Sequence, residues 1–291
     1  MRSALSMVGA VAALAVSCAS CNDPVEPAWR LDHPRVLGAR VAPVADPARA
    51  SVRPGEEIAV ELFTASRERP RGAYARFALG ACAANPNGAV TACRGPALAD
   101  LSGAGANDLT LTLRAPAEPG ELLVFGVVCT TGAPVLSPLA AGKEVRGACD
   151  GGAGQEVAIR VAVGGPDDRQ PALGEGAILL DGKPLSADAP CEAGGPGIRA
   201  DGGSHDLVFV GRALGREPGE SVIVSHLATH GDLDRLYTAP DGDADGKVVW
   251  KAPSSIGQPR ETARFHFSVR DGRGGAAFLT RTICIERGAS T

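Results

Sequence analysis

Short runs of alternating apolar and polar residues, each closed by a glycine or proline turn, recur along this chain and limit what it can fold into. In the segment 109–113 three leucines alternate with two threonines, and the segment 157–163 repeats the pattern with valine and isoleucine. A period of two residues puts one set of side chains on each face of a strand. The chain has 38 glycines and 22 prolines among 291 residues, well above the average usage of about 12 %, so turns must be frequent. Short strands divided by turns are typical of all-β sandwiches and barrels.

A break in this pattern divides the chain into two bodies. The segment 164–171 (GGPDDRQP) is rich in glycine, proline and charge, as interdomain linkers are. We therefore predict two tandem immunoglobulin-like β-sandwiches, over 35–163 and 172–287. The Asp-Gly turn in 270–275 should join the last two strands as a hairpin, because positive backbone angles cost little there. Shared Pro-Gly-Glu and Ala-Pro steps leave open a duplication, in which the first body carries an insertion around 82–105.

The first 21 residues have the layout of a secretory signal. Arg2 supplies a positive start, and Met7 to Val16 is an uncharged run of ten residues followed by small residues and cysteines. This run is too short to span a bilayer as a stable helix. It resembles the signal of bacterial lipoproteins, in which the first mature residue is a lipidated cysteine. The motif favours Cys18, whereas Cys21 is the alternative because it leaves an even number of cysteines downstream; an ordinary cleaved signal is the third interpretation.

A polar spacer, 22–34, follows this anchor and contains three prolines. Such a segment should hold the body of the protein off the membrane. Trp29, within the spacer, either docks on the first domain or is a loosely packed linker residue. The lipoprotein resemblance implies several acyl chains, which stable anchoring requires. We therefore expect a lipid-anchored protein outside the cytoplasm, on the outer membrane or the cell surface.

Six cysteines lie in the two predicted bodies, and in an exported chain they are expected to form disulfides. The periplasm and the cell surface are oxidising, and these cysteines have neither the Cys-x-x-Cys spacing nor the histidine partners of a zinc site. Six cysteines allow fifteen pairings. Proximity along the chain favours Cys82–Cys93, Cys129–Cys149 and Cys191–Cys284. The last bridge would supplement a core with few rings, since aromatic residues are only 4 % of the chain.

The charge of the chain argues against a nucleic-acid partner. Its formal net charge is −4, and no basic cluster or stripe is present to neutralise phosphates. Beyond the N-terminal segment no run approaches the ~20 apolar residues of a membrane helix. The partners that we expect are the membrane, through the lipid anchor, and a cell-surface protein or glycan.

One acidic turn has the opening pattern of a calcium loop. Asp241, Asp243 and Asp245 occupy alternate positions, and Gly246 takes the sixth. The twelfth position, where an EF-hand has a glutamate, is Ala252, and the residues after Gly246 are predicted to form a strand rather than a helix. An EF-hand is therefore excluded. A partial calcium loop on the three aspartates and an acidic hairpin turn without metal both stay open; no other cofactor is predicted.

No motif in the sequence predicts catalysis. A Gly-x-Ser-x-Gly elbow and a phosphate-binding glycine motif are both missing. His226 and His230 have a His-x-x-x-His spacing, but their segment is predicted as a strand, and the glutamate of a zinc-protease motif is missing. We interpret them as two surface or loop histidines. His205 and His266 lie in predicted strands without an evident partner, and we expect no enzymatic activity.

Three turn and strand motifs occur together in this chain. They are the Pro54-Gly55-Glu56 turn before the second strand, the Ala115-Pro116 step and the Val269 to Gly275 hairpin. Together they resemble bacterial surface lipoproteins with tandem immunoglobulin-like domains, of the PKD and cadherin kind, over about Arg35 to Glu286. The resemblance implies β-sandwiches, surface exposure and often no assigned activity. We expect a non-catalytic binding or structural module; the alternatives are a calcium-dependent adhesin and an accessory domain of a cell-surface hydrolase system.

Overall fold

The protein is all-β, as predicted. The computed structural model describes residues 28–67, 74, 76–88, 91–104, 109–138, 141–174, 176–185, 191, 197–215, 220–240 and 244–288. Within these ranges the chain forms nineteen strands and no α-helix. A search of the same ranges finds no helix with the length and apolar character to cross a membrane. The predicted signal, with Cys18 and Cys21, lies outside the described residues.

The first nine strands build an immunoglobulin-like sandwich. They are β1 (Arg35–Pro43), β2 (Glu57–Ala65), β3 (Arg76–Ala84), β4 (Cys93–Ala104), β5 (Leu109–Arg114), β6 (Gly120–Cys129), β7 (Ala133–Leu136), β8 (Gly147–Asp150) and β9 (Gly154–Val163). One sheet has the order β1-β2-β5, and the facing sheet has the order β4-β3-β6-β9. Neighbouring strands are antiparallel. The hairpin of β7 and β8 is an addition between the last two strands of the second sheet.

The remaining strands build a second immunoglobulin-like sandwich. They are β10 (Ile178–Leu180), β11 (Lys183–Pro184), β12 (Gly197–Ala200), β13 (Ser204–Phe209), β14 (Ile223–Ala228), β15 (Asp232–Leu233), β16 (Tyr237–Thr238), β17 (Gly246–Lys251), β18 (Arg260–Arg270) and β19 (Ala276–Arg287). Their two sheets have the orders β11-β10-β13-β17-β15 and β12-β19-β18-β14-β16. The short β12 pairs with β19 in parallel, and the other pairs are antiparallel.

The two cores differ in the side chains that fill them. In β5 the burial alternates residue by residue, with the leucines inside and the threonines outside, as the sequence pattern predicts. The first core is aliphatic apart from Tyr74 and the partly buried Phe77. The second core is centred on Trp250, Phe209, Phe265 and Phe267, whose rings meet edge to face or stacked at 5.2–6.2 Å. The expectation of a core with few rings is therefore wrong for the second sandwich, where four large rings lie together.

The segment predicted as an insertion around 82–105 contains a strand of the first sandwich. β4 lies at the edge of its sheet and pairs with β3 across two register shifts. Most of its described side chains are exposed or half-buried, including Leu98. An edge strand can accept Pro96 because one side of its backbone has no ladder partner. Without an alternating apolar face, nothing in the sequence of this segment indicated a strand.

Three disulfides connect the strands. Cys82–Cys93 joins β3 to β4, Cys129–Cys149 joins the end of β6 to β8, and Cys191–Cys284 joins the segment before β12 to β19. These are the pairs that proximity along the chain favours. The first two hold an edge strand and an added hairpin to the first sandwich, around a small core that includes Phe125 and Val145. Covalent bridges thus reinforce the elements with the least apolar contact of their own.

Removing the long-range bridge should destabilise the protein more than removing the shortest one. Cys191 and Cys284 are 93 residues apart, whereas Cys82 and Cys93 are 11 apart. In the chain-entropy picture the longer loop adds about 2 kcal/mol more to the free energy of unfolding. Urea unfolding of the two Cys→Ala double variants without reductant measures this difference. Equal losses would contradict the entropic account of these bridges.

Candidate functional site at the junction of the two sandwiches

The linker between the sandwiches is bound along the first one rather than free. The backbone N–H of Ala50 donates to the carbonyl of Asp168 at 2.8 Å, and that of Gln170 donates to Ala48 at 2.9 Å. At the start of the linker, the N–H of Gly164 donates to Val52 at 2.8 Å. These bonds satisfy backbone groups that a loose linker would leave to water. They also fix the point at which the second sandwich begins.

The side chain of Gln170 joins the two sandwiches directly. Its Nε2 donates to the carbonyl of Val41 in β1 at 2.7 Å, and its Oε1 accepts the backbone N–H of Ala276 in β19 at 2.8 Å. An amide is suited to this position because it carries a donor and an acceptor on one rigid group. One side chain thereby fixes the distance between β1 and β19.

Apolar and cationic contacts between β1 and β2 on one side and β18 and β19 on the other extend this junction. The rings of Phe63 and Phe278 stack with centroids 4.4 Å apart. Arg270 donates from Nη2 to the carbonyl of Leu37 at 3.2 Å. A Cβ at Gly38 would lie only 3.0 Å from the Phe278 ring, so glycine permits the close approach. The orientation of the sandwiches is therefore set by several contacts at once.

The segment before β1 also spans the junction. The N–H of Leu31 donates to the carbonyl of Ala228 in β14, and the N–H of Ala228 donates to Trp29. Arg30 donates to Asp232 at 2.7 Å. These bonds carry the indole of Trp29 onto the core of the second sandwich. Neither alternative for Trp29, docking on the first domain or a loosely packed linker residue, is therefore correct, because backbone pairing with β14 draws the segment onto the second sandwich.

A cleft of about 870 Å³ lies between the sandwiches. Its walls come from β1, from β9, from the linker and from the turn between β18 and β19. This size is within the range of small-molecule sites. Its charged lining includes Glu121, Glu156, Arg160 and Arg273, with Arg160 donating to Glu121 at 2.6 Å. Paired charges and an open mouth suit a polar ligand.

Three carboxylates are buried together at this junction. Asp168 in the linker, Glu220 before β14 and Asp271 in the β18–β19 turn are 4 %, 7 % and 3 % exposed. One oxygen from each lies within 4.8 Å of the other two. Sequence reasoning missed this cluster, because its members are about fifty residues apart and had been assigned to a linker and to turns. Their burial was the only informative property, and it requires the tertiary structure.

The three carboxylates have unequal surroundings. Asp271 Oδ1 accepts the backbone N–H groups of Arg273, Gly274 and Gly275 at 2.7–3.1 Å. Burial raises the pKa of Asp271, and the charges of Asp168 and Glu220 raise it further. Nε of Arg273 lies 3.6 Å from Oε1 of Glu220. The turn backbone and one guanidinium thus compensate part of the negative charge.

The predicted calcium loop lies only partly in the described chain. Asp241 and Asp243 fall outside it, so calcium binding there stays a prediction. Asp245 Oδ1 accepts the backbone N–H of Gly211 at 3.0 Å and so holds the 3-10 turn at Gly211–Ala213. Gly246 begins β17, as expected.

The histidines lie where the sequence did not place them. His226 is fully buried, with Nε2 3.2 Å from Thr238 Oγ1 and its ring stacked on Phe209. The interpretation of His226 as a surface or loop residue is therefore wrong, because in β14 its side chain faces the core. His230 lies after the strand and contacts Glu261 at 3.0 Å. The two histidines of the His-x-x-x-His pair are therefore not placed to bind one metal ion together.

His205 and His266 have hydrogen-bond partners that could not be identified from the sequence. His205 Nδ1 lies 2.7 Å from Asp181 Oδ2, and His266 Nδ1 lies 3.1 Å from Thr280 Oγ1. Burial lowers the pKa of His226 and of His266 to about 4. Both rings are therefore neutral at physiological pH and act as polar parts of the core.

Three side chains, Thr229, His230 and Glu261, are hydrogen-bonded in the order of a catalytic triad, but the hydroxyl of Thr229 is buried. Thr229 Oγ1 lies 2.9 Å from His230 Nδ1, and Glu261 is on the other ring nitrogen. Thr229 is only 2 % exposed, and its hydroxyl already accepts the backbone N–H of Arg264 at 2.9 Å. Trp250 Nε1 donates to the carbonyl of His230 at 2.9 Å. This network holds the end of β14 against its neighbours and offers the hydroxyl to no substrate.

The comparisons with known proteins add the following. No family model matches the chain, and no curated protein matches it. Among solved structures, the D0-D1 domain of intimin aligns with a TM-score of 0.25 and 12 % identity, covering 86 % of this chain and 98 % of that one. A protein of unknown function from Porphyromonas gingivalis W83 aligns with a TM-score of 0.22 and 14 % identity, covering 87 % and 98 %. With such low scores, function has to be inferred from this chain's own residues.

Lowering the pH from 6.5 to 4 should destabilise the protein through its two buried histidines. The folded-state pKa of about 4 for His226 and His266 is below the ordinary value of about 6.5. Between pH 6.5 and pH 4 the unfolded chain binds more protons than the folded protein, so stability falls as the pH is lowered. The lost stability is not regained below pH 4. Each shift is worth about 3 kcal/mol.

Urea midpoints of the wild type and of His266→Gln between pH 7 and pH 4 measure this contribution. The variant should lose about half of the pH dependence of stability that the two histidines cause, because one of the two titrating rings is removed. Glutamine is chosen because it keeps a side-chain group that can hydrogen-bond to Thr280. The exposed His33 gives the control, and His33→Gln should follow the wild type. A His266→Gln profile parallel to the wild type would show that this ring does not carry the acid sensitivity.

Proposed function

We propose that this protein is a non-catalytic module outside the cytoplasm, tethered by a lipid at Cys18, that binds a polar ligand in the cleft between its sandwiches. The observation that supports it best is the fixed junction: Gln170 and the Phe63–Phe278 stack hold in place the two sandwiches that form the cleft. A preorganised cleft loses little entropy on binding. The ligand class that fits its charged lining is a cell-surface glycan or protein segment.

The compartment is supported by the cysteines. All six cysteines of the two sandwiches are paired, and such bridges persist in oxidising compartments. The structure describes nothing of the first 27 residues, so the tether rests on the sequence pattern around Cys18 and Cys21.

Filling the cleft should abolish ligand binding while leaving the fold intact. Ala158 in β9 is exposed and lines the cleft, and Ala97 in β4 is exposed on the opposite edge of the same sheet. Ala158→Trp should therefore reduce binding on a glycan array and to surface-protein extracts at least tenfold, and Ala97→Trp should not. Binding that survives Ala158→Trp, or a bound ligand released chemically altered, would contradict the proposal.

The lipid anchor can be tested by mass. Mature wild-type protein purified from membranes should carry the added mass of several acyl chains. Cys18→Ser should lose that mass and leave the protein uncleaved or released, whereas Cys21→Ser should keep it. Loss of the lipid in Cys21→Ser alone would move the anchor to Cys21, and an unmodified wild type would indicate an ordinary cleaved signal.

A further inference from the structure

The buried carboxylates at the junction have a feature that packing does not explain. Asp168 is only 4 % exposed. Among the described residues no hydrogen-bond donor reaches either of its carboxylate oxygens. The same is true of Asp271 Oδ2. Burying an ionised carboxylate without partners is costly. A cation bound between these oxygens would remove that cost.

The charge of the cluster favours a divalent cation. The guanidinium of Arg273 lies beside Glu220, whereas neither carboxylate oxygen of Asp168 has a hydrogen-bond partner among the described residues. A divalent ion between the oxygens would offset the negative charge of Asp168 and Asp271.

The donor atoms indicate which divalent cation. All three are carboxylate oxygens, without nitrogen or sulfur, and hard oxygen ligands suit calcium or magnesium rather than zinc. Calcium takes 6–8 oxygens and accepts bidentate carboxylates. The cleft, which Asp168 lines, can supply water for the remaining positions. Magnesium demands a stricter octahedron and keeps most of its water, which three buried side chains accommodate less well.

We propose that Asp168, Glu220 and Asp271 bind one calcium ion that fastens the linker to the second sandwich. Asp168 belongs to the linker, where its backbone carbonyl accepts the N–H of Ala50, and Asp271 belongs to the turn that leads into Ala276, the partner of Gln170. The ion would thus reinforce the contacts that set the relative orientation of the sandwiches. This site is distinct from the acidic loop at Asp241, Asp243 and Asp245.

The proposal is tested by calcium titration of the mature chain after chelator treatment. Isothermal titration calorimetry should show one site lost in Asp168→Asn, with a Kd increase of about tenfold or more, because ligand charge sets calcium affinity. Calcium at ten times Kd should raise the Tm of the wild type by about 3–6 °C. Asp167→Asn is the matched control, since its carboxylate is exposed and pairs with Arg53.

One further variant and one further measurement separate the outcomes. Asp243→Asn should keep the effect; if it removes the effect while Asp168→Asn keeps it, the ion binds in the loop and the junction site is refuted. Without calcium, Asp168→Asn should be at least as stable as the wild type, which shows that a lost calcium response is not a folding defect. A wild type whose Tm and heat signal do not respond to calcium, magnesium or manganese refutes the site. Binding in the cleft is measured separately, so either proposal can fail alone.

Discussion

The junction depends on one short stretch of backbone pairing, in which the linker lies along the segment 48–52 of the first sandwich. Once Asp168 and Gln170 are held there, the Gln170 amide reaches both β1 and β19, and the second sandwich has a defined origin. The cleft, the Phe63–Phe278 stack and the acidic cluster all follow from that position. A flexible linker of the same composition would leave each of these groups in water.

The protein distributes its stabilisation unevenly. The second sandwich buries most of the large rings around Trp250 and has one bridge, whereas the first sandwich relies on leucine and valine and has two bridges. Aromatic side chains bury more area per residue than aliphatic ones. The bridges in the first sandwich lie where β4 and the β7–β8 hairpin have little apolar area of their own, so covalent and hydrophobic stabilisation complement each other.

Buried polar groups are concentrated in and around the second sandwich. His226 and His266 lie in its core as neutral rings, and Thr229, His230 and Glu261 form a bonded chain at its edge. Each of these groups has at least one hydrogen-bond partner, although one ring nitrogen of His226 and one of His266 have none among the described residues. Asp168 is different, because neither of its carboxylate oxygens has a hydrogen-bond partner among the described residues, and it lies close to two other carboxylates. That contrast separates the acidic cluster from ordinary buried polarity.

The sequence by itself determined the elements whose causes are local. The period-two pattern of β5 and β9, the Asp-Gly turn before β19 and the proximity of cysteine pairs all act over a few residues, and each was predictable. β4 was not, because an edge strand with exposed side chains has no alternating face to reveal it. The burial of His226 and the meeting of Asp168, Glu220 and Asp271 were decided by tertiary structure alone. Their positions depend on how two sheets and a linker pack together, and that arrangement is set by contacts between residues far apart in the chain.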